Sequence, residues 1–439
     1  MLMPSPDPDT IFAQLLQDLP PETEALAREF KAFTRARKIK TPGQLLRAVL
    51  LFSALDFSER EVATNLVLVN PEMGGLTDEA VHQRLAACQP WLQALLPRLL
   101  RAQAWPALPA GLRLIVIDAT SLAAPGQHRA THRLHVVMDL VSLQLIEVKV
   151  TDYQTGETLK NFRFAPGEVV VCDRGYSKRS SVEAVLGAGG EIIVRYNAAN
   201  FPLLELDGQP LAVAQALAQL EPGETQTLAA QLVTQQGRTY PVWIHAYRLA
   251  GAAAQAARRR CRRAGQRAGY RPRQETLFLA EFILVLSSLP PTVLPAETVL
   301  ALYRCRWQVE LLIKKWKSLL QLDALRTRAD SPLAWVWLHG KLLYAALLER
   351  RVRRCCPAAW GQLDQPRPST HWRLWKLLQR EVEPLITLPE CWHPQAWPQA
   401  LKALAERPRK RRLQTLPTEI VCWLQRPVAE GEMELKQAA

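Results

Sequence analysis

Several features are scarce or missing in this 439-residue sequence, and each absence removes a class of protein. The longest apolar run, residues 48–55, is far short of the 18 or more residues that a membrane-spanning helix needs, so no span is expected. The eight cysteines, at 88, 172, 261, 305, 355, 356, 391 and 422, include no CxxC pair and no metal-ligand spacing. Reduced thiols in a cytoplasm are the simplest reading. The opening MLMPSPDPDT carries acids where a secretion signal has a basic segment. No internal repeat is visible. Acids are also short: 41 Asp and Glu face 55 Lys and Arg, a formal charge of +14, which points to a polyanionic partner without telling nucleic acid from an acidic membrane. With 48% hydrophobic and 22% charged residues, the chain is otherwise an ordinary globular one.

Residues 1–108 read as helices. Residues 20–37 are amphipathic, Thr41-Pro42 opens a helix, Ser58 with Glu61 forms a capping box, and Thr77-Asp78 caps a helix through His82, Arg84 and Leu85. Short helices carrying Arg47, Arg60 and Arg84 suit a DNA-binding bundle of helix-turn-helix type or a purely structural one. Residues 106–111 read as a linker. Strands are expected at 112–117, 132–139, 144–150, 168–172 and 191–196, with a helix at 177–186, the order of an RNase H-like core over 109–196. Residues 197–291 read as a mostly β insertion, with strands at 225–233, 239–247 and 275–286. Within it, Arg258, Arg259, Arg260, Arg262, Arg263, Arg267, Arg271 and Arg273 run on without an acid, as a mobile surface loop or as a contact to DNA backbone. Residues 292–350 hold two further helices, 294–320 and 332–354. Residues 351–439 form a C-terminal helical region suited to packing or dimerisation, with a second basic run at 407–412. The fold class expected is mixed α/β (α+β).

The most informative stretch is 301–320, ALYRCRWQVELLIKKWKSLL. Wound as one helix at about 100° per residue, it stacks Tyr303, Arg306, Glu310 and Lys317 along one stripe. Leu302, Cys305, Val309, Leu312, Trp316 and Leu319 then form the buried side. A single acid among cations can hold a metal ion beside phosphates. The same stripe can be a solvated face on which Arg306 and Glu310 make an i,i+4 pair worth about 0.2–0.5 kcal/mol. Two further acids, Asp118 and Asp173, directly follow apolar runs, where an Asp either caps a helix or meets a cation.

Tyr303, Arg306, Glu310 and Lys317 match at every spacing the Tyr-Arg-Glu-Lys signature of the DDE transposases of insertion-sequence family four. The sequence resembles that family from about residue 112 to 328. Its second acid also lies in the family's Asp-Arg-Gly-aromatic context, and its first is followed by a hydroxyl residue, Thr120, read as ordering the loop that holds Asp118. The resemblance implies an RNase H-like core with an insertion before the glutamate. It also implies a catalytic and metal-binding triad of Asp118, Asp173 and Glu310, with Asp118 bridging two Mg²⁺ ions (Mn²⁺ substituting), Asp173 on one and Glu310 on the other. Tyr303, Arg306 and Lys317 would hold phosphates near the cleaved end, with Arg174, Arg195 and Lys314 as further DNA-binding candidates. Phe282 is a candidate for stacking a flipped base, or else a core residue. Glu157 sits in another segment like the family's, where capping would also explain it. His132 and His135 read as strand residues. The activity implied is cut-and-paste transposition by a homodimer on double-stranded DNA, with inverted repeats bound through the N-terminal helices, in a bacterial cytoplasm. An RNase H-like nuclease or resolvase, and a non-catalytic DNA-binding derivative, are the rival readings.

Overall fold

The computed structural model describes residues 7–101, 111–198, 201–355, 371–404 and 418–424. The basic run at 407–412, and all of the expected linker but Gly111, lie outside them. The chain opens with α1 (Pro8–Leu16) and α2 (Thr23–Glu29), which covers only part of the amphipathic stretch expected at 20–37. The three capped helices follow as read: α3 (Pro42–Ser53) behind Thr41, α4 (Glu59–Val69) behind the reciprocal Ser58–Glu61 capping box, and α5 (Asp78–Ala86) behind Thr77. The last helix of the group, α6 (Gln89–Arg101), was not anticipated. Arg47 is no DNA-facing residue. It is 1% exposed and donates to Asn65 Oδ1 at 2.9 Å and to the Ile386 carbonyl at 3.3 Å, so it ties the N-terminal helices to a C-terminal one.

Next come β1 (Arg113–Leu122), β2 (His132–Asp139), β3 (Leu145–Asp152), β4 (Glu168–Cys172), α7 (Arg179–Leu186) and β5 (Glu191–Arg195). The insertion holds α8 (Val213–Ala216), β6 (Thr225–Val233), β7 (Thr239–Arg248), α9 (Gly251–Arg267), α10 (Gln274–Leu279) and β8 (Phe282–Ser287). All eight strands form one sheet in the order β3-β2-β1-β4-β5-β8-β7-β6. β4 is parallel to both β1 and β5, and the other pairs are antiparallel. The sheet is thus an RNase H-like core, extended by the insertion through β8.

Two expectations for the insertion fail. Most of the arginine-rich stretch is a helix and not a loop, because its alanines favour one and its arginines are exposed to solvent; Arg271 and Arg273 follow the helix. The strand expected at 275–286 is two elements: α10 turns back at Ala280 before β8 begins.

The chain continues with α11 (Ala296–Cys305), α12 (Trp307–Leu320), α13 (Pro332–Cys355), α14 (His371–Thr387), α15 (Trp397–Leu404) and α16 (Thr418–Leu424). The signature stretch is therefore two helices. Cys305, expected to be buried, is exposed at their junction.

One face of the sheet, including Val116, Val171 and Ile193, shares a core with α1–α6, α12, α13 and α14. The other face, including Ile117, Val170 and Ile192, packs on α7 and the start of the insertion. α13 lies centrally in the helical layer, against α3, α5, α6, α12 and α14. It carries buried ion pairs, Lys315–Glu349 at 2.8 Å, Lys341–Asp56 at 2.9 Å and Arg351–Asp18 at 3.0 Å. Among the described residues, no helix is long and apolar enough to cross a membrane.

Candidate active site

Strand register brings the predicted residues into line. Ile117 pairs with Cys172 and Cys172 with Val194, so the next residues, Asp118, Asp173 and Arg195, form a row across β1, β4 and β5. Two positions earlier, Val116, Val171 and Ile193 all belong to the core beneath the helices. The alternation of side chains along a strand therefore turns the whole row toward that same layer. Asp118 does not end its strand. β1 runs on to Leu122 paired with β2 alone, while its ladder with β4 stops at Ile117, and Thr120 lies on the strand instead of in a loop. The sheet parts at the acid, which opens one side of it to ligands.

Arg306 is the corner between α11 and α12. Its N–H donates to the Tyr303 carbonyl and its own carbonyl accepts from the Val309 N–H, both at 3.2 Å, three-residue spacings that tighten the turn. From this corner the guanidinium reaches Glu310 Oε1 at 2.5 Å and Asp118 Oδ2 at 3.6 Å, and lies 5.7 Å from the centre of the Tyr303 ring. Tyr303 in turn stands close enough to Arg195 for each to influence the other's charge. Glu310 thus meets Asp118 through a shared cation. Asp173 takes the capping role: its Oδ1 accepts the Gly175 N–H at 2.8 Å at the start of a short 3₁₀ turn, and it stands beside Asp118.

The electrostatics fit a site short of positive charge. Burial, reinforced by the charges of Asp173 and Glu310, pushes the Asp118 carboxyl up to about 6, against the pull of the Ala119 N–H and of Arg306. Burial opposes the charge on Arg306, but Glu310, Tyr303 and Asp118 overcome it and raise its pKa. Burial raises the Tyr303 phenol and lowers Arg195. Among the described residues, no three His, Cys, Asp or Glu side chains are gathered ready to hold a metal ion, and the Arg306 guanidinium is what touches both Asp118 and Glu310. The donor set nevertheless suits a hard divalent cation: oxygen ligands only, in excess over the neighbouring positive charge.

Residues 109–340 match the family model described as the transposase DDE domain. Over 336 residues, 75% of this chain and 90% of each relative, the sequence is 32% identical to InsL of insertion sequence element IS186A and 31% identical to the transposase for insertion sequence element IS421, both from Escherichia coli. Over 131 residues, 30% of this chain and 27% of the relative, it is 28% identical to the transposase for insertion sequence element IS231F from Bacillus thuringiensis subsp. israelensis. The chain is a DDE transposase.

DNA binding and a dependence on divalent metal go with that family. Elsewhere in the transposase, Lys314 is exposed on α12 and Lys317 half-buried in its last turn. Arg174 donates to Asn197 Oδ1 at 2.8 Å. Phe282 is 2% exposed and packs on Phe278 with ring centroids 5.0 Å apart. It also borders a cavity of about 560 Å³ with Arg174, Arg195 and Arg260. His132 and His135 lie on β2 as expected, the first edge-on to Trp335 and the second hydrogen-bonded to Thr151.

Sequence reasoning gave Glu157 too small a part. Thr158, not Glu157, caps the following 3₁₀ turn, and the Glu157 carboxylate reaches Gly175 in the loop after Asp173. The glycine of the Asp-Arg-Gly triplet was the available signal: a residue without a side chain marks a close approach.

Proposed function

We propose that the transposase cuts and pastes its element by Mg²⁺-dependent phosphoryl transfer, in which Asp118, shared between two ions, Asp173 and Glu310 would hold the metal. The observation that carries this is the Arg306 contact to both Asp118 and Glu310, one strand over from Asp173. Bound divalent ions activate the attacking water or 3′-hydroxyl and stabilise the departing oxygen. Asp118 must give up its proton to bind them. Arg306 exchanges its carboxylates for a DNA phosphate, which its planar guanidinium can grip bidentately. Tyr303 and Lys317 hold the same backbone, with Arg195, Arg174 and Lys314 along its path. The cavity beside Phe282 has room for a base turned out of the duplex at the cleaved end. Two copies, each holding an inverted-repeat end, make the working complex.

The test is strand transfer. Pre-cleaved, labelled ends incubated with the full chain, Mg²⁺ and supercoiled target are expected to be joined through their 3′ ends, and Asp118→Asn, Asp173→Asn and Glu310→Gln are expected to bind the ends yet lose joining by about a thousandfold or more. Hydrolysis without joining would favour the nuclease reading. Wild-type joining by any of the three variants would refute the assignment of that acid.

A further inference from the structure

We infer that Glu157 is a fourth carboxylate of the metal centre, taking an ion jointly with Asp173. The inference rests on the metal-dependent chemistry proposed above. Its geometry comes from Gly175. At the position a Cβ would occupy there, Glu157 Oε2 is 2.6 Å away and Asp173 Oδ1 is 3.1 Å away, so the two carboxylates converge on one point. The other oxygen of Glu157, Oε1, faces Arg133 at 3.7 Å. The carboxylate is thus split between a cation on one side and a second carboxylate on the other.

The loop that carries Glu157 is braced. Asp152 accepts the Thr155 N–H at 2.7 Å, Arg133 donates to the Thr155 carbonyl at 2.7 Å, and Lys178 donates to the Glu157 carbonyl at 3.0 Å. These bonds fix the backbone from which Glu157 reaches toward Asp173. Among the described residues Asp173 forms no ion pair, so Arg133, on the far oxygen of Glu157, is the one cation paired with the two acids.

A second, independent observation points to a ligand. Tyr176 is completely buried, and its hydroxyl has no hydrogen-bond partner among the described residues. The charges it feels are those of Asp118, Glu157 and Asp173, which together with burial disfavour its ionisation. An unmatched buried hydroxyl is costly, and a divalent ion such as Mg²⁺ keeps several waters, one of which would take its hydrogen bond. The alternative, that Glu157 merely anchors its loop to Arg133, explains Oε1 but neither Oε2 nor the hydroxyl.

The experiment is a Mn²⁺ titration of the full chain, with free Mn²⁺ read by electron paramagnetic resonance. Wild type, Glu157→Gln, Glu157→Asp and Asp118→Asn are compared, and each is melted in EDTA. Glu157→Gln and Glu157→Asp, the first without the charge and the second without the reach, are expected to weaken Mn²⁺ binding about tenfold or more while melting as wild type does without metal. Wild-type affinity in Glu157→Gln, with affinity lost in Asp118→Asn, would overturn this inference and leave the metal reading standing. Wild-type affinity in Asp118→Asn as well would bring down the metal reading itself. If Glu157→Gln fails to fold, Glu157→Asp decides alone, and wild-type affinity there refutes the role.

Discussion

In the helical layer, Asp56 accepts from Lys341 and Trp337 at 2.9 Å each, and Asp18 meets Arg351 at 3.0 Å and Arg354 at 2.8 Å. Where the parallel strands part, the four acids Asp118, Asp173, Glu310 and Glu157 share two arginines, Arg306 at 2.5 Å from Glu310 and 3.6 Å from Asp118, and Arg133 at 3.7 Å from Glu157. The first region matches each buried acid with donors at hydrogen-bond distance. The second gathers acids and leaves them under-matched, an arrangement that raises the free energy of the fold and is relieved when cations arrive. Deleting an acid should therefore have opposite effects in the two places.

The largest effect belongs to the matched region. Asp56→Ala strands Lys341, which is fully buried, and also removes the acceptor of Trp337 Nε1. A loss of about 3–5 kcal/mol is expected in chemical denaturation; a loss below about 1 kcal/mol would mean the pair is not what holds these helices together. Smaller, and opposite in sign, is Asp118→Asn. Because the folded pKa of Asp118 lies above the ordinary carboxylate value, its contribution favours the fold at low pH and is lost as the pH rises through about 6. In EDTA near pH 8 the variant is expected to be more stable than wild type by about 1–2 kcal/mol, with the difference vanishing below about pH 3.8. Equal stability at both pH values would remove the contrast between the regions. Smallest is Lys317→Ala, in the last turn of α12, the helix that carries Glu310. Its affinity for end DNA should fall, with a logarithmic salt slope shallower by about 0.9, and an unaltered slope would remove Lys317 from the phosphate contacts.

Local signals were legible in the sequence because they act locally. Thr41, Ser58 and Thr77 satisfy helix-end N–H groups within three residues of themselves, and β2, β4 and β6 have the bounds their apolar patterns suggest. The break at Arg306 left no such trace. Its backbone stays in the right-handed helical region, at φ −49° and ψ −30°, so the spacing of the signature runs through the corner undisturbed. The strand read at 275–286 failed because Phe278 and Leu279 are as apolar as β8, though they pack from a separate turn of helix. Arg47 looked like a DNA contact because its partners, Asn65 and Ile386, are distant in sequence. Glu157 was obscure for the same reason: its approach to Asp173 is made by the fold, and only Gly175 hinted at it.

The pairing of β8 with β5 has a mechanical side. Arg195 opposes Val285 in that ladder, and α9 is fastened just ahead of β8 by Arg258, which shares the buried Glu281 with Arg248. The basic helix is thereby tied through Glu281 to a strand that is hydrogen-bonded to β5, the strand that follows Asp173. The insertion is in this sense a handle joined to the blade by backbone hydrogen bonds.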